Sequence, residues 1–224
     1  MVRNAFRASL ACVAIAASAP LAAEVTDSSA DHFVARDSVT VKAAPKVAWL
    51  MLIKPEEWWD DSHTWSGSSS NLSIVPQGGG CFCERIPEKD SRSDIGLAGS
   101  AQHMIVLMAE PMKVLRMRGA LGPLQSEPVD GVLTFTLQAD KASGGTKVVM
   151  EYVVGGHMRY DVPKISKAVD EVMSMQLGRF ADKLGRIGEA AAKPGAQSAT
   201  KPGAAPSDGD VGAALDAMDG KADD

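Results

Sequence analysis

Residues 58–67 read Trp-Trp-Asp-Asp-Ser-His-Thr-Trp-Ser-Gly, so three of the four tryptophans of the chain fall in one short stretch. Tryptophan combines a large apolar body with one N–H group that needs a partner when it is buried. Three such side chains beside two aspartates and a histidine indicate either an anchor of the core or the wall of a pocket. The stretch therefore organises the fold, but it names no substrate.

The two ends of the chain differ in composition from its middle. Residues 1–23 combine Arg3 and Arg7 with a short apolar run and a small-residue cleavage site, which is the pattern of an export signal. The last 35 residues are mainly Ala, Gly, Pro, Ser, Lys and Asp and predict a disordered tail. We expect an exported, periplasmic protein with a signal peptide at 1–23, a linker at 24–32, one domain at 33–189 and a tail at 190–224.

Composition and charge exclude several classes of partner. The 224 residues are 45% hydrophobic, which suffices for one sizeable core. Cleavage would remove two arginines and no acidic residue, taking the formal net charge from −5 to −7. An acidic chain without a polybasic run is a poor binder of nucleic acid or anionic membranes. We expect no nucleic-acid partner, no stable membrane insertion after cleavage, and no cofactor.

Hydrophobic periodicity predicts an α+β fold. Two short helices beginning near Pro45 and Pro55 follow the first strand, and Asp161 caps a long amphipathic helix over 162–188. Residues of alternating polarity predict an antiparallel sheet of about six to seven strands, at 33–41, 71–75, 81–86, 101–109, 114–119, 131–138 and 146–154. The expected architecture is a curved sheet with the long helix laid across one face.

This order resembles the helix-grip fold of the START-like or SRPBCC superfamily, which includes polyketide cyclase-like proteins and chaperone-ATPase activators. The resemblance covers about residues 33–188 and is carried by Pro-Lys-Val-Ala-Trp-Leu at 45–50, residues 58–67, Gly-Gly-Cys-Phe-Cys-Glu at 79–84, residues 115–125 and Gly-Val-Leu-Thr-Phe at 131–135. It implies an apolar cavity between sheet and helix. The same fold hosts carriers, enzymes and chaperone cofactors, so function must be argued from the site.

Strand parity and the resemblance together give a set of candidate ligand-binding residues. They are Trp58, Trp59, His63, Trp65, Cys81, Cys83, His103, Leu133, Phe135, Met150, Tyr152, Met173 and Phe180. His103 is in phase with Ile105 and Leu107, an alternation that aims it into the cavity, although a hydrogen-bonded core or edge histidine is the favoured interpretation. The apolar loop 120–124 predicts exposed leucines at a cavity lip, with Leu121, Pro123 and Leu124 as gate residues.

Cys81 and Cys83 lie two residues apart on a predicted strand and therefore share one face. Three interpretations are open, of which small apolar core thiols are the favoured one. The second is a disulfide, which regular strand geometry disfavours. The third is a zinc site with His63 or His103, which lacks the usual ligand spacing, so we expect no metal.

His63 beside Asp60 and Asp61 suggests an acid–base group, and His103 is a second candidate. No nucleophile motif accompanies either residue, and the favoured role of His63 is to fix its loop. The primary hypothesis is a non-catalytic carrier or sensor of a small, largely apolar molecule. The alternatives are a cyclase, dehydratase or hydrolase using either histidine with Arg116 or Tyr152 as polariser, and a protein-interaction module.

Overall fold

A computed structural model describes residues 24–88 and 98–188 of the chain, and the statements that follow concern these residues. One antiparallel sheet runs through the whole of this part. Its strands are β1 (Glu24–Ser28), β2 (His32–Val41), β3 (Leu72–Ile74), β4 (Cys81–Ile86), β5 (Gly99–Glu110), β6 (Val114–Arg118), β7 (Val129–Ala139), β8 (Thr146–Gly156) and β9 (Arg186–Ile187). The predicted signal peptide, the predicted tail and the loop 89–97 lie outside the described residues.

The strand order is β1-β2-β8-β7-β6-β5-β4-β3, with β9 also paired to β2. After β2 the chain crosses to the far edge of the sheet through helix α1 (Pro45–Leu52) and three 3-10 turns, at Pro55–Glu57, Asp61–His63 and Ser69–Asn71. It then returns strand by strand to β8 and ends in helix α2 (Val162–Lys183). The α+β class is confirmed, and the large sheet with its C-terminal helix is consistent with the helix-grip arrangement.

The sheet has more strands than the six to seven predicted, because two short segments pair with β2. Residues 24–32 were predicted to be a linker, but β1 pairs along one edge of β2 and packs Val25 on the core. The long helix was predicted to run to residue 188, but α2 ends at Lys183. Gly185 then adopts a φ of 75°, which favours glycine, and the chain turns so that Arg186 pairs with Val41.

The core forms where the alternating faces of the strands meet the helices. The predicted inward sets on β6, β7 and β8 are all buried, and α2 packs chiefly against β2 and β1. At its start, Asp161 accepts a hydrogen bond from the Lys164 N–H at 3.2 Å, which confirms the predicted cap. In this part of the chain, no helix is both long and apolar enough to cross a membrane.

The tryptophan stretch sits between α2 and the sheet. Trp58 is buried, with its ring centroid 5.5 Å from that of Phe180 on α2 and 6.4 Å from that of Phe135 on β7. Its indole N–H donates to the Met51 carbonyl at 3.0 Å, so the buried donor is satisfied. Trp58 therefore fills the space between sheet and helix at this end of the molecule.

Polar contacts from α2 fix the backbone beside Trp58. The side-chain oxygen of Gln176 accepts from the Asp60 N–H at 2.9 Å, and Arg179 donates from Nε to the Trp58 carbonyl at 3.1 Å. Arg179 also forms an ion pair of 3.1 Å with the Asp60 carboxylate. The loop between the short helices and β3 is thus attached to the C-terminal helix by three separate contacts.

The close approach of two strands to Tyr152 predicts that Gly131 does not tolerate a side chain. A Cβ at Gly131 would lie 2.6 Å from the Gly119 carbonyl oxygen and 2.7 Å from the Tyr152 ring. We expect Gly131→Ala to lower the free energy of unfolding by about 1–3 kcal/mol, because the backbone must move to relieve this contact. The matched control is Gly155→Ala on β8, where the nearest atom is 3.8 Å away. Urea unfolding that gives the same stability for both variants would contradict the packing described.

Candidate functional site

An open pocket of about 390 Å³ lies at the end of the inner face of the sheet, beside the 3-10 turn Gly122–Ser126. Its walls come from β5, from the chain after β6, from the 3-10 turn and from β7. The lining residues are Gln102, His103, Gly119, Ala120, Gln125, Glu127 and Val129. The size falls within the range of small-molecule sites, and most of the side chains in the wall are polar.

A buried carboxylate, Glu84 on β4, organises the polar side of this site. Its side chain is fully buried because Phe82 and Glu84 share the inner face of the strand. Its oxygens accept hydrogen bonds from the Trp65 N–H at 3.1 Å, the Ser66 N–H at 2.5 Å and the His103 Nε2 at 2.9 Å. Three donors compensate the cost of removing this charge from water.

His103 is buried on the inner face, but not in the predicted phase. It was expected to share a face with Ile105 and Leu107, yet these two side chains are 40% and 47% exposed, while Met104 and Val106 are buried. The cause is a register shift: Phe82 faces Met104 and Cys83 faces Gln102, which leaves His103 as the extra residue of a bulge. The bulge brings His103 onto the same side as Glu84.

Both ring nitrogens of His103 are engaged. Burial lowers the pKa of His103 more than the Glu84 carboxylate raises it, so the ring is neutral near pH 7. Burial also raises the pKa of Glu84, but the hydrogen bonds from Ser66, Trp65 and His103 outweigh it and leave the pKa lowered. We therefore assign the proton to Nε2, which donates to Glu84, and the acceptor role to Nδ1.

Gln125 joins His103 to the exposed Trp65. Its amide nitrogen lies 3.1 Å from His103 Nδ1, and its amide oxygen accepts from the Trp65 indole N–H at 3.0 Å. The two ends of the amide are therefore oriented by one acceptor and one donor. If Nδ1 became protonated, the amide would have to turn to accept from it, and the Trp65 bond would be lost.

The opposite side of the pocket is fixed by Glu127 and Arg159. The Glu127 carboxylate accepts from Arg159 through the backbone N–H at 2.8 Å, Nε at 2.9 Å and Nη2 at 2.6 Å. These bonds with Arg159 hold the pKa of Glu127 below its usual range. Glu127 is 6% exposed, so the pair attaches the segment before β7 to the segment before α2.

The loop predicted to gate the cavity borders this pocket through Ala120. Leu124 is fully buried in the core, so it is not the exposed lip residue that the sequence suggested. Leu121 is half-buried, and its N–H donates to the Tyr152 hydroxyl at 3.1 Å. Pro123 is exposed. The glycine and proline of the loop allow it to turn inward, which sequence polarity alone does not indicate. A gating role stays a prediction.

The remaining predicted ligand residues fall into two groups. Trp58, Trp59, Leu133, Phe135, Met150, Tyr152, Met173 and Phe180 are all buried and pack with one another in the core. The Tyr152 hydroxyl bonds backbone atoms of Leu121 and Gly119, and burial raises its pKa well above the usual range. Trp65 is 47% exposed beside Gln125. Of the whole predicted set, only His103 lines the pocket itself.

Cys81 and Cys83 lie on the outer face of β4, opposite Phe82 and Glu84, rather than along an interior wall. They form a disulfide. The favoured interpretation, core thiols, is therefore wrong in this structure. Their Cα atoms are 5.3 Å apart, closer than the ~6.8 Å of two regular strand steps, and the bulge opposite this part of β4 accompanies that contraction.

His63 participates in local contacts of its own loop. Its Nδ1 is 3.1 Å from the Ser62 hydroxyl and 3.7 Å from the Asp60 carboxylate. Ser62 donates its hydroxyl proton to Asp60, so the serine is not activated by the histidine. The His63 carbonyl accepts from the Trp59 indole at 3.0 Å.

The remaining described residues give little support to the acid–base and metal-binding interpretations. Arg116, considered as a polariser, is exposed on the outer face and bonds Thr134 at 3.2 Å. Over residues 24–88 and 98–188, no group of three or more His, Cys, Asp or Glu side chains is placed to hold a metal ion.

Sequence reasoning missed Glu84, Gln125 and Glu127 as parts of the site. Glu84 shares its strand parity with Phe82, and Gln125 ends one of the stretches that carry the family resemblance. These were the available signals. A glutamate at an inward position and a glutamine in a loop do not reveal their partners, because the partners come from β5 and from residues 60 positions away.

The comparisons with known proteins concern the fold. No protein-family model and no curated protein matches the chain. A solved structure from Mesorhizobium loti is 20% identical with a TM-score of 0.45, covering 66% of this chain and 94% of that one. An uncharacterized protein from Rhizobium leguminosarum is 18% identical with a TM-score of 0.49, covering 70% and 96%. The Aha1 dimer from Colwellia psychrerythraea is 15% identical with a TM-score of 0.44, covering 67% and 95%.

The Glu84 contacts predict a large loss of stability when the carboxylate is removed. We expect Glu84→Ala to lower the free energy of unfolding by about 3 kcal/mol or more, because Trp65, Ser66 and His103 lose a buried acceptor together. The control is Glu110→Ala, an exposed carboxylate paired with Lys113, for which we expect about 0.5 kcal/mol or less. Equal losses in urea unfolding would show that Glu84 does not organise the site.

The lowered pKa of His103 predicts a specific loss of stability in mild acid. The unfolded imidazole takes up a proton near pH 6.5, whereas the folded one does not until its own lower pKa. The contribution of the neutral His103 to the free energy of unfolding is therefore complete above pH 6.5, and it is lost as the pH falls through the folded-state pKa. We expect the stability difference between the wild type and His103→Gln to shrink from about pH 7.5 to pH 5 in urea unfolding.

The control for this pH dependence is Gln138→Ala, which alters an exposed, non-titrating side chain on β7. We expect the curve of this variant to run parallel to that of the wild type. His32, whose pKa is raised by its hydrogen bond to Asp27, acts with the opposite sign but cancels in the difference between variants. A His103→Gln curve that also runs parallel to the wild type would contradict the assignment of a neutral, buried His103.

Proposed function

We propose that this chain is a non-catalytic binding protein of the SRPBCC or START-like class and that the pocket beside Gln125 receives a small molecule. The observation that carries the proposal is the pocket of about 390 Å³, in whose wall His103 and Gln125 are already held by hydrogen bonds to each other and to Glu84 behind them. A pre-formed wall of oriented polar groups is what ligand sites usually provide. The order of elements around the sheet supports the class.

The chemistry of the walls favours a ligand with both polar and apolar parts. Ala120 and Val129 supply apolar surface, while Gln102, Gln125 and Glu127 supply polar groups. The negative charge of Glu127 is paired with Arg159, so an uncharged hydrogen-bonding group suits this side. We therefore place the ligand at the end of the sheet rather than deep beneath α2, where Trp58 and the core occupy the space.

Catalysis by either histidine has less support. His103 donates to Glu84 and accepts from Gln125, which leaves no free nitrogen to take a proton from a substrate. His63 is next to a serine whose proton points to Asp60. The structure thus offers no prepared nucleophile–base pair at either of these two histidines.

A protein-interaction module is the second candidate. Three apolar side chains on β5, Ile105, Leu107 and Met108, are 40–47% exposed. Ile105 belongs to the outer face that carries Cys81, away from the pocket. Such side chains suit contact with another protein, and a variant that fills the pocket would leave this surface unchanged. Export by the predicted signal peptide stays a prediction for either candidate.

A pocket-filling variant tests the binding site. We expect the neutral dye Nile red to bind the protein, and Val129→Phe to weaken the binding about tenfold or more, because the larger ring occupies the pocket. The matched control is Val153→Phe, a 38% exposed valine on the outer face of β8, which should bind like the wild type. Dye fluorescence measures the affinity, and thermal unfolding verifies that each variant is folded.

A second readout uses the tryptophans. Ligand binding beside Gln125 should change the emission of Trp65, and Trp65→Phe should remove this change while the buried tryptophans continue to emit. Equal Nile red affinity in Val129→Phe and Val153→Phe would place binding elsewhere. Absence of dye binding, together with native mass spectra free of any co-purified small molecule, would contradict the binding proposal.

A further inference from the structure

The Cys81–Cys83 disulfide is accessible from the outer face of the sheet. Both residues are half-buried, whereas Phe82 between them is buried on the inner face. On β5 the partner of Cys81 is Ile105, which is 40% exposed, and the partner of Cys83 is the exposed Gln102. The bridge therefore lies at the outer surface of the sheet and is not enclosed by the core.

The bridge contributes little that the fold needs. It closes a loop with a single intervening residue, and the stabilisation from loop closure is smallest for the shortest loops. The strand is already held on both sides, since Cys83 pairs with Ser73 of β3 and Cys81 pairs with Ile105 of β5. A disulfide that is accessible and structurally dispensable has the properties of an exchangeable one.

One cationic side chain lies on the same strand and the same face as the bridge. Arg85 is exposed and follows Cys83 by two residues on β4, so it shares the outer face with both cysteines. A neighbouring guanidinium favours the thiolate form of a cysteine. Among the residues of β3 and β5 that pair with Cys81, Cys83 and Arg85, none carries a charge that would oppose this effect.

We propose that Cys81 and Cys83 form a reversible thiol–disulfide exchange site whose reaction partner is a dithiol. A thiolate of the dithiol attacks Cys81 Sγ, the Cys81–Cys83 bond breaks, and Cys83 leaves as a thiolate beside Arg85. The second thiolate of the dithiol then attacks the first dithiol sulfur in the mixed disulfide. The bond from that sulfur to Cys81 Sγ breaks, and Cys81 leaves as a thiolate. The net reaction converts the protein disulfide and a dithiol into a protein dithiol and an oxidised partner, with transfer of two electrons and two protons.

The state of the bridge is connected to the pocket through one strand. Phe82, between the cysteines, lies 5.7 Å from Trp59 and 5.1 Å from His103 between ring centroids. Glu84, the next inward residue, carries the hydrogen bonds to Trp65 and His103. We expect opening of the bridge to relax the short Cys81–Cys83 spacing and so to alter the surroundings of these side chains.

The test uses the full chain with Cys12→Ser, so that Cys81 and Cys83 are the remaining cysteines. The protein is treated with oxidised glutathione, then with dithiothreitol under native conditions, quenched with acid and labelled with N-ethylmaleimide for intact mass analysis. We expect both cysteines to become labelled at a rate within about tenfold of that in urea, and the far-ultraviolet circular dichroism, which reports the backbone, to remain unchanged. Oxidised dithiothreitol should restore the unlabelled form.

Matched variants test the assigned role of Arg85. We expect Arg85→Gln to slow the native reduction about threefold, because Cys83 loses its cationic neighbour. Arg116→Gln, an exposed arginine on β6 bonded to Thr134, should reduce like the parent protein. Equal rates for the two variants would overturn the role of Arg85 as the group that stabilises the leaving thiolate.

Three results would overturn the exchange site. Native reduction slower than reduction in urea by about a thousandfold or more would mean that only unfolding exposes the bond. Loss of the native far-ultraviolet circular dichroism on reduction would make the bridge structural. Full labelling after treatment with oxidised glutathione would mean that the bridge does not form.

Discussion

A single buried carboxylate, that of Glu84, is the constraint on which the site depends. A charge removed from water is tolerated only when several donors face it, and here the donors come from two separate parts of the chain. The Trp65 and Ser66 amides belong to the link before β3, and His103 belongs to β5. The hydrogen bonds to the two Glu84 oxygens therefore fix the loop at Trp65 and Ser66 together with the β5 bulge and the His103 ring.

The tryptophan stretch is held at both of its ends by polar contacts. Gln176 and Arg179 attach the backbone at Trp58 and Asp60 to α2, and Glu84 attaches the backbone at Trp65 to the sheet. Trp58 fills the interior, whereas Trp65 faces solvent and bonds Gln125. The cluster that looked like one unit in the sequence thus divides into a core anchor and a residue at the edge of the pocket.

Local patterns predicted the regular elements but not the partners that build the site. The bounds of β4 and the start of α2 followed from alternation and from Asp161, because these signals are local in sequence. The predicted phase of His103 relative to Ile105 and Leu107 was wrong because a bulge adds one residue to β5 and interrupts the alternation of side chains. β1 was not predicted because its residues are mostly polar. Its pairing with β2 uses backbone atoms, so the hydropathy pattern gives no signal for it.

Both edges of the sheet are short strands. β3 has three residues, and β1 has five with a register shift between Val25 and Asp27. In the described residues, each long strand has a strand partner on both sides along at least part of its length, so the outermost strands expose few free backbone donors and acceptors. The sheet formed by residues 24–88 and 98–188 is therefore a poor template for β-strand addition and edge-to-edge aggregation. Within this part of the chain, the side chains on the faces of the sheet offer another chain more surface than the sheet edges do.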